Sequence, residues 1–320
     1  MIERWVAFWD RREAPYSLAL VRILVGATLL ADLLQAELFG VVGLLWGPPP
    51  EGAGFGQRVA PVPLAMRVLG TSTETGSLLW AVAAVTCLLF TLGVAYRVSS
   101  LLLAFVMVEL GHIQPVNDSI DVLLRIVVPV LALSQAAGAW SFDAWYRKRR
   151  GRPAVESIPA WPRYLIVLQL LWLYISAGHQ RDAKTWGLRG GFAAIGNVLG
   201  DPHFARVEPG SLAALYPLMC LGTFWTMLFE LSAPLYLLWL WLERNPERGG
   251  RFGAGVRRFR VRWWWLLSGM SLHGGIAAGM KIGLFPFGIL ALYPAFLAPV
   301  ETLGVRAALA RWVERARGRS

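Results

Sequence analysis

Ionisable side chains inside long apolar segments are the first candidates for chemistry in this sequence. Moving such a group to membrane depth costs about 2.5–3.5 kcal/mol on insertion scales, so it usually faces a polar interior. We therefore expect these residues to line a cavity or to pair with one another. They are Arg22, Asp32, Glu109, Arg125 and Glu230, with Glu37 near the edge of its segment.

Two clusters lie on either side of a short loop at 113–117. Asp118, Asp121 and Arg125 are spaced three and four residues apart, which places them on one helix face. Glu109 and His112 are three residues apart before the loop, and Asn117 ends it. We expect both clusters to meet at one cavity. An ion-pair network that only ties the helices together explains the same spacing, and both interpretations stay open.

A third cluster follows the apolar segment that ends at residue 178. Residues 179–186 (HQRDAKTW) contain four ionisable groups in their first six positions. Asp118 or His179 could act as a general base, and Arg125 or Arg181 could hold an anionic group. His273 is either a site residue or a satisfied core histidine.

These patterns predict two sets of site residues. The predicted catalytic residues are His112, Asp118, Asp121, His179, Arg181 and Lys184. The predicted binding residues are Arg22, Asp32, Glu109, Asn117, Arg125, Trp186, Glu230, His273 and Lys281. No metal site is expected, because the sequence has no CxxC motif and no histidine pair with ligand spacing. The two cysteines, Cys87 and Cys220, are interpreted as packed thiols.

The elements that must position these residues are membrane helices. Of the 320 residues, 56% are hydrophobic and 16% are charged, against about 25% charged in ordinary soluble domains. Since a spanning helix needs about 20 apolar residues, the sequence predicts an all-α polytopic bundle of about eight spans. The predicted spans are 18–34, 78–95, 98–111, 122–139, 164–178, 212–242, 263–280 and 282–300.

The distribution of basic residues predicts the orientation of the bundle. If the chain starts inside, 22 of its 31 Lys and Arg residues fall on cytoplasmic segments, 7 on outer loops and 2 within spans. This asymmetry is typical of a multi-pass protein of the inner (plasma) membrane with both termini cytoplasmic. The same distribution excludes a nucleic-acid-binding face, because the basic residues are spread over the cytoplasmic segments and are not gathered on one surface.

The whole chain, 1–320, is predicted to be one transmembrane domain. Residues 1–16 are expected to form an amphipathic helix on the inner leaflet, and residues 301–320 a basic cytoplasmic tail. The predicted site residues then fall on or near the outer side, so a site would open outward.

Several motifs, taken in order, resemble the HTTM family, bacterial relatives of vitamin K-dependent gamma-glutamyl carboxylase. They are 17–26 (SLALVRILVG) with Asp32, 117–121 (NDSID), 140–143 (WSFD), 174–178 (YISAG) followed by Trp186, 229–234 (FELSAP) and 273–285. The resemblance implies a helical membrane domain with its active site toward the outside, and a membrane quinol as a possible cofactor.

This sequence departs from the family pattern at the position of one functional residue. The carboxylase uses a lysine to deprotonate vitamin K hydroquinone, and the matching positions here are Gln180 and Arg181. Arginine keeps its proton, with a pKa above 12, so it cannot be that base. Lys184 lies three residues further on. Gamma-carboxylation of glutamate is therefore not expected.

Three functions remain open at this stage. The first is an outward-facing enzyme of the carboxylase-like class that modifies a lipid or a secreted peptide with a quinol cofactor. The second is a non-catalytic membrane partner or maturation factor for an exported peptide or complex, as in the branch that matures a sporulation-delaying toxin. A transporter has the least support, because no inverted repeat is visible. The expected partners are the lipid bilayer and a secreted peptide or membrane protein.

Overall fold

The predicted all-α class is confirmed. The computed structural model describes residues 2–48, 63–113, 119–181 and 184–317. Within these ranges the strands are two-residue segments, β1 (Arg12–Glu13) and β2 (Ile158–Pro159), which pair antiparallel with Glu13 opposite Ile158. The predicted site residues Asn117 and Asp118 lie outside the described residues, as does Asp182 of the third cluster.

The chain divides into two compact units, residues 1–167 with 291–320 and residues 168–290. In chain order the helices are α1 (Ile2–Trp9), α2 (Tyr16–Leu38), α3 (Val42–Trp46), α4 (Leu64–Leu69), α5 (Thr73–Leu92), α6 (Tyr96–Ile113), α7 (Ser119–Leu133), α8 (Phe142–Arg149), α9 (Trp161–His179), α10 (Ala194–Leu199), α11 (Tyr216–Leu231), α12 (Leu235–Arg244), α13 (Gly250–Arg258), α14 (Val261–Gly279), α15 (Phe285–Leu292) and α16 (Pro299–Arg317). Short 3-10 helices occupy Lys184–Trp186, Leu188–Gly190, Pro209–Leu215 and Tyr293–Phe296.

Every predicted span carries helix, but the structure interrupts two of them. The segment 212–242 is divided between α11 and α12 just before Pro234, and 282–300 is divided by a 3-10 turn that contains Pro294. Proline has no N–H to donate and disfavours helical backbone in the residue before it, which accounts for both breaks.

By length and composition, three helical segments among the described residues could each cross a membrane, namely Tyr16–Leu38, Thr73–Leu92 and Leu212–Leu231. A bent pair, Phe285–Phe296 with Pro299–Arg315, would make a fourth. The chain therefore has three to four candidate spans by this measure, and the count of eight stays a prediction. So do the interfacial role of 1–16, the basic tail at 301–320 and the single domain over 1–320.

In the first unit α2, α5, α6 and α7 pack side by side. Leu18, Val25, Phe90, Leu103 and Leu124 are almost completely buried at their interfaces. Small residues set the distance between α2 and α5. A Cβ on Gly26 would collide with the Thr91 side chain, so the two helices approach more closely there than any larger residue would allow.

A fully buried arginine holds the ends of this helix group together. The Arg22 guanidinium donates hydrogen bonds to the main-chain carbonyls of Phe90 (3.1 Å), Thr91 (2.9 Å) and Trp140 (2.6 Å). Two of these carbonyls lie in the last turn of α5, where the helix dipole favours a positive charge. Arg22 was predicted to bind a ligand, but in the structure its side chain donates to main-chain carbonyls of other residues in the protein.

The turn between α5 and α6 depends on the same contact. Gly93 has φ +66°, and a Cβ on it would collide with the Arg22 guanidinium and with Ser141. Asp143 then accepts hydrogen bonds from the N–H groups of Ala95 (3.0 Å) and Tyr96 (2.8 Å), which would otherwise be unpaired at the start of α6. One buried cation and one carboxylate therefore fix this end of α5 and α6.

In the second unit aromatic rings form the core. Tyr174, Phe229 and Trp265 pack with ring centroids 4.7–6.0 Å apart. The Trp265 indole donates to the Ser232 hydroxyl at 3.1 Å. Ala205 and Met280 form an isolated antiparallel bridge that ties the loop after α10 to the end of α14.

Replacement of Gly93 by alanine tests the Arg22 contact. Gly93→Ala should strongly lower the thermal unfolding temperature in mild detergent, followed by tryptophan fluorescence, because it combines an unfavourable φ with a collision against a buried guanidinium. The matched control is Gly40→Ala, at φ +65° with no atom within 4 Å of the added Cβ. It should lose only the cost of left-handed backbone, about 1–2 kcal/mol. Equal losses in the two variants would show that Arg22 does not constrain the turn.

Candidate functional site

A small cavity among α2, α3, α6 and α7 brings together several of the predicted site residues. Its volume is about 30 Å³. Because one water occupies about 10–15 Å³ of such a cavity, there is room for about two water molecules. Its lining residues are Leu29, Asp32, Leu33, Trp46, Met107, Leu110, Gly111, Asp121, Leu124 and Arg125.

The charges of this cavity come from two helices. Asp32 lies on α2, whereas Asp121 and Arg125 lie one turn apart on α7, where the Arg125 Nε also donates to the Asp121 carbonyl at 3.1 Å. Two carboxylates and one guanidinium leave the lining with a formal charge of −1. Asp32 is exposed at the rim, whereas Asp121 and Arg125 are half-buried. The net negative charge favours a cationic group or a proton at this place.

Gly111 on α6 makes room for Arg125. A Cβ at position 111 would overlap the Arg125 guanidinium and lie 2.8 Å from its Cδ. The arginine therefore lies flat across the α6 backbone at this point. A larger residue at position 111 would have to move the guanidinium away.

Trp46 contributes a polar atom that sequence reasoning missed. The residue is 6% exposed, and its Nε1 has no hydrogen-bond partner among the described residues. A buried indole N–H normally has an acceptor, so this atom is available to a water or to a ligand oxygen. Nothing in the sequence singled out Trp46, because its position beside Asp32 depends on the fold of α3.

The predicted partners Glu109 and His112 do not line the cavity. Glu109 is buried, and its carboxylate accepts a hydrogen bond from the Ala65 N–H at 2.7 Å, at the start of α4. His112 is exposed, and its Nδ1 hydrogen-bonds the Val108 carbonyl one turn earlier on α6. Of the two clusters around 113–117, the described structure thus places Asp121 and Arg125 at the cavity and Glu109 beside another helix.

The second unit contains an ion pair of two predicted residues, Arg181 and Glu230, with a third, Trp186, packed against it. Arg181 donates to both oxygens of Glu230, at 3.1 Å from Nε and 2.6 Å from Nη2. The Arg181 guanidinium carbon lies 3.8 Å from the ring centroid of Trp186. The Glu230 side chain is 7% exposed and that of Arg181 28%. The carboxylate of the pair is therefore buried while the guanidinium keeps some exposure, and the guanidinium is held from two sides.

A close approach of the end of α9 to the end of α11 allows this pair to form. A Cβ on Gly178 would lie 3.0 Å from Leu231 and 3.2 Å from the Glu230 Cβ. Small residues just before Arg181 therefore bring the end of α9 against Glu230. This contact explains why the small residue Gly178 follows Ala177 at the end of α9.

His273 lies in the aromatic core of the second unit. It is 3% exposed, and its Nε2 lies 2.9 Å from the Tyr174 hydroxyl, with Phe285 packed against the ring. Of the two interpretations offered by the sequence, these contacts are those of a core histidine. Tyr174, which the sequence gave no reason to single out as a polar partner, supplies the hydrogen bond.

The remaining predicted residues of this unit lie apart from these contacts. His179 is exposed, and its Nδ1 hydrogen-bonds the Ile175 carbonyl; Lys184 is exposed in a 3-10 turn. Lys281 donates to the Pro202 carbonyl at 3.2 Å. His203 donates from its main chain to Asp201, with its ring also in contact, and these hydrogen bonds lower the pKa of the Asp201 carboxyl.

Removal of the charge on Glu230 tests the importance of the ion pair. Glu230→Gln should lower the free energy of unfolding by about 3 kcal/mol or more, because it leaves the Arg181 cation desolvated without its counter-ion. The matched control is Glu247→Gln, which removes a partner of Arg248 at 3.9 Å in a pair whose side chains are 66% exposed. That change should cost less than about 1 kcal/mol. Detergent-solubilised protein unfolded by heat or denaturant gives both values. A similar small loss in both variants would contradict the assignment.

Comparison with known proteins identifies a family. A model of the HTTM domain matches residues 10–242, which is more than half of the chain and includes the cavity, Arg181 and Glu230. Neither the curated proteins nor the solved structures show a significant match to the sequence.

Proposed function

Because the chain belongs to the HTTM family, we propose that it is a multi-pass protein of the plasma membrane with eight spans and both termini in the cytoplasm. In this proposal its outward-facing cavity binds a primary ammonium group carried by a membrane lipid or an exported peptide. The single observation that carries the proposal is the cavity of the first unit, where Asp32, Asp121 and Arg125 meet beside Trp46.

The placement of the cavity supports the outward orientation. The Arg22 contact lies near Tyr96, where α6 starts. The cavity lies near Gly111, at the other end of α6. Fifteen helical residues span about 22 Å, so the two features are separated by most of the thickness of a hydrocarbon core. The basic residues favour the Arg22 end as cytoplasmic, which assigns the cavity to the outer half.

The lining of the cavity determines which chemical group suits it. A formal charge of −1 is neutralised by one ammonium, whose three N–H groups can donate to Asp32 and Asp121. Arg125 and the Trp46 indole can donate to a phosphate or carbonyl oxygen next to that ammonium. With room for about two water molecules, the cavity is large enough for an ammonium group.

The residues at the family's lysine position do not fit the base of a quinol reaction. Arg181, the residue matched to it, donates to Glu230 through Nε and Nη2 and packs on Trp186. A guanidinium does not give up its proton near neutral pH. We therefore propose no quinol step for this chain. Recognition of an amine-bearing lipid or peptide suits both an enzyme of another type and a non-catalytic maturation partner.

Binding by the purified full-length protein tests the proposal. Native mass spectrometry in detergent would compare phosphatidylethanolamine with phosphatidylcholine, whose trimethylammonium is too large and has no N–H. A short apolar peptide with a free or an acetylated N-terminus would test the peptide source. We expect the wild-type protein to prefer one amine-bearing probe, and Asp32→Asn or Asp121→Asn to lower that affinity about tenfold or more, by loss of a charge-assisted hydrogen bond.

Two controls make the test specific. Glu37→Gln removes a carboxylate from the same helix as Asp32 but outside the cavity, and it should leave the affinity unchanged. Gly111→Ala keeps every charge but displaces Arg125, so it should weaken binding, whereas Gly304→Ala, a helical glycine with open space around it, should not. Equal binding of the methylated and unmethylated probes, or no effect of the two aspartate changes, would refute the proposal.

A further inference from the structure

The helix α8 presents aromatic rings outside the packed core. None of its residues is buried, and Phe142, Trp145 and Tyr146 are 47%, 50% and 46% exposed. The rings contact one another, with centroids 5.2 Å apart for Phe142 and Trp145 and 6.3 Å for Phe142 and Tyr146. Three adjoining half-exposed rings form an apolar patch, and the exposure of such a patch to water is unfavourable.

Cations lie directly beside these rings. The guanidinium of Arg149 lies 4.9 Å from the Trp145 ring centroid, and that of Arg150 lies 5.1 Å from the Tyr146 centroid. Arg150 also donates to the Tyr146 hydroxyl at 2.6 Å. Phe142, Trp145 and Tyr146 together with Lys148, Arg149 and Arg150 are called the aromatic–basic surface below.

The charge of this surface and of the adjoining Arg147 and Arg152 is not neutralised within the part of the chain that the structure describes. Residues 147–152 (RKRRGR) include five basic side chains, and Asp143 is the single acid between 140 and 155. Asp143 accepts hydrogen bonds from the N–H groups of Ala95 and Tyr96. Among the described residues, no ion pair joins the five cations to a carboxylate. We therefore expect these uncompensated positive charges to attract an anion from outside the protein.

The fold fixes the surface at the ends of apolar helices. Asp143 binds the first N–H groups of α6, and the carbonyl of Trp140 accepts from Arg22 beside the end of α5. α5 is long and apolar enough to span a membrane. Helix ends of this kind lie where hydrocarbon gives way to lipid headgroups, so the rings and cations of α8 lie at the headgroup level.

We propose that the aromatic–basic surface binds the phosphate of anionic phospholipids, with its three rings in the interfacial layer. Lys148, Arg149 and Arg150 would donate to the phosphate oxygens, and the rings would contact the glycerol and upper acyl region. A soluble polyanion such as nucleic acid would match the cations but leave the rings in water. The combination of rings and cations at a helix end therefore favours a lipid. This inference requires only that the chain is embedded in a membrane and is independent of the cavity.

Lipid binding to the full-length protein tests the inference. Phosphatidylglycerol and phosphatidylcholine of equal chain length would be titrated onto the detergent-solubilised protein and the adducts counted by native mass spectrometry. We expect the Lys148→Gln/Arg149→Gln/Arg150→Gln variant to bind phosphatidylglycerol about tenfold or more weakly, with little change for phosphatidylcholine. Phe142→Ala/Trp145→Ala should weaken the binding of both lipids, because the rings contact parts that the two share.

The matched control removes three exposed charges from another basic segment. Arg244→Gln/Arg248→Gln/Arg251→Gln changes the net charge by the same amount at α12 and α13, and it should leave the tight phosphatidylglycerol adduct intact. An equal loss in this control would show that net charge alone attracts the lipid and would overturn the inference. Displacement of the lipid by a single-stranded oligonucleotide at equal concentration would also overturn it. Unchanged unfolding temperatures of the variants would exclude misfolding as the cause of any loss.

Discussion

The buried guanidinium of Arg22 is the contact on which the first unit depends. It is fully enclosed and donates to three main-chain carbonyls, two of them at the end of α5 and one just before α8. A cation in this position satisfies carbonyls that a helix end leaves without partners, and it compensates the negative end of the helix dipole. Gly93 must lack a side chain because that guanidinium occupies the space, and Asp143 then fixes the start of α6.

This arrangement accounts for motifs that carried the family resemblance. The stretch around Arg22 and the residues 140–143 are far apart in sequence, yet Arg22, Trp140 and Asp143 meet at one turn. The Arg22 and Asp143 side chains hydrogen-bond main-chain groups at this turn, and Trp140 contributes its main-chain carbonyl. The same holds for Gly178, whose small size brings α9 against Glu230. Of the charged residues in the apolar helices, Arg22 is thus a structural cation, whereas Asp32 lines a cavity.

The candidate chemistry lies at the other end of α6. Asp32, Asp121 and Arg125 line one cavity there, and only the fold showed that Trp46, whose Nε1 has no partner among the described residues, lines it as well. In the second unit, by contrast, two of the predicted residues, Arg181 and Glu230, form an ion pair with each other. Arg181 is engaged by Glu230 and Trp186, and His273 is enclosed with Tyr174. Residues that were predicted as catalytic or binding groups therefore separate into a cavity lining, an ion pair and a core hydrogen bond.

The sequence by itself determined the all-α class, the membrane character and the family, because apolar length, sparse charge and ordered motifs are local properties. It also predicted correctly that Asp121 and Arg125 share a helix face, since that follows from helical periodicity. Only the tertiary structure decided what each charged group contacts. Glu109 binds the start of α4 and Arg22 binds carbonyls of α5, because hydrogen-bond partners far away in sequence depend on how helices pack. The helix breaks near Pro234 and Pro294 likewise show that apolar composition measures the length of a segment but not the continuity of its backbone.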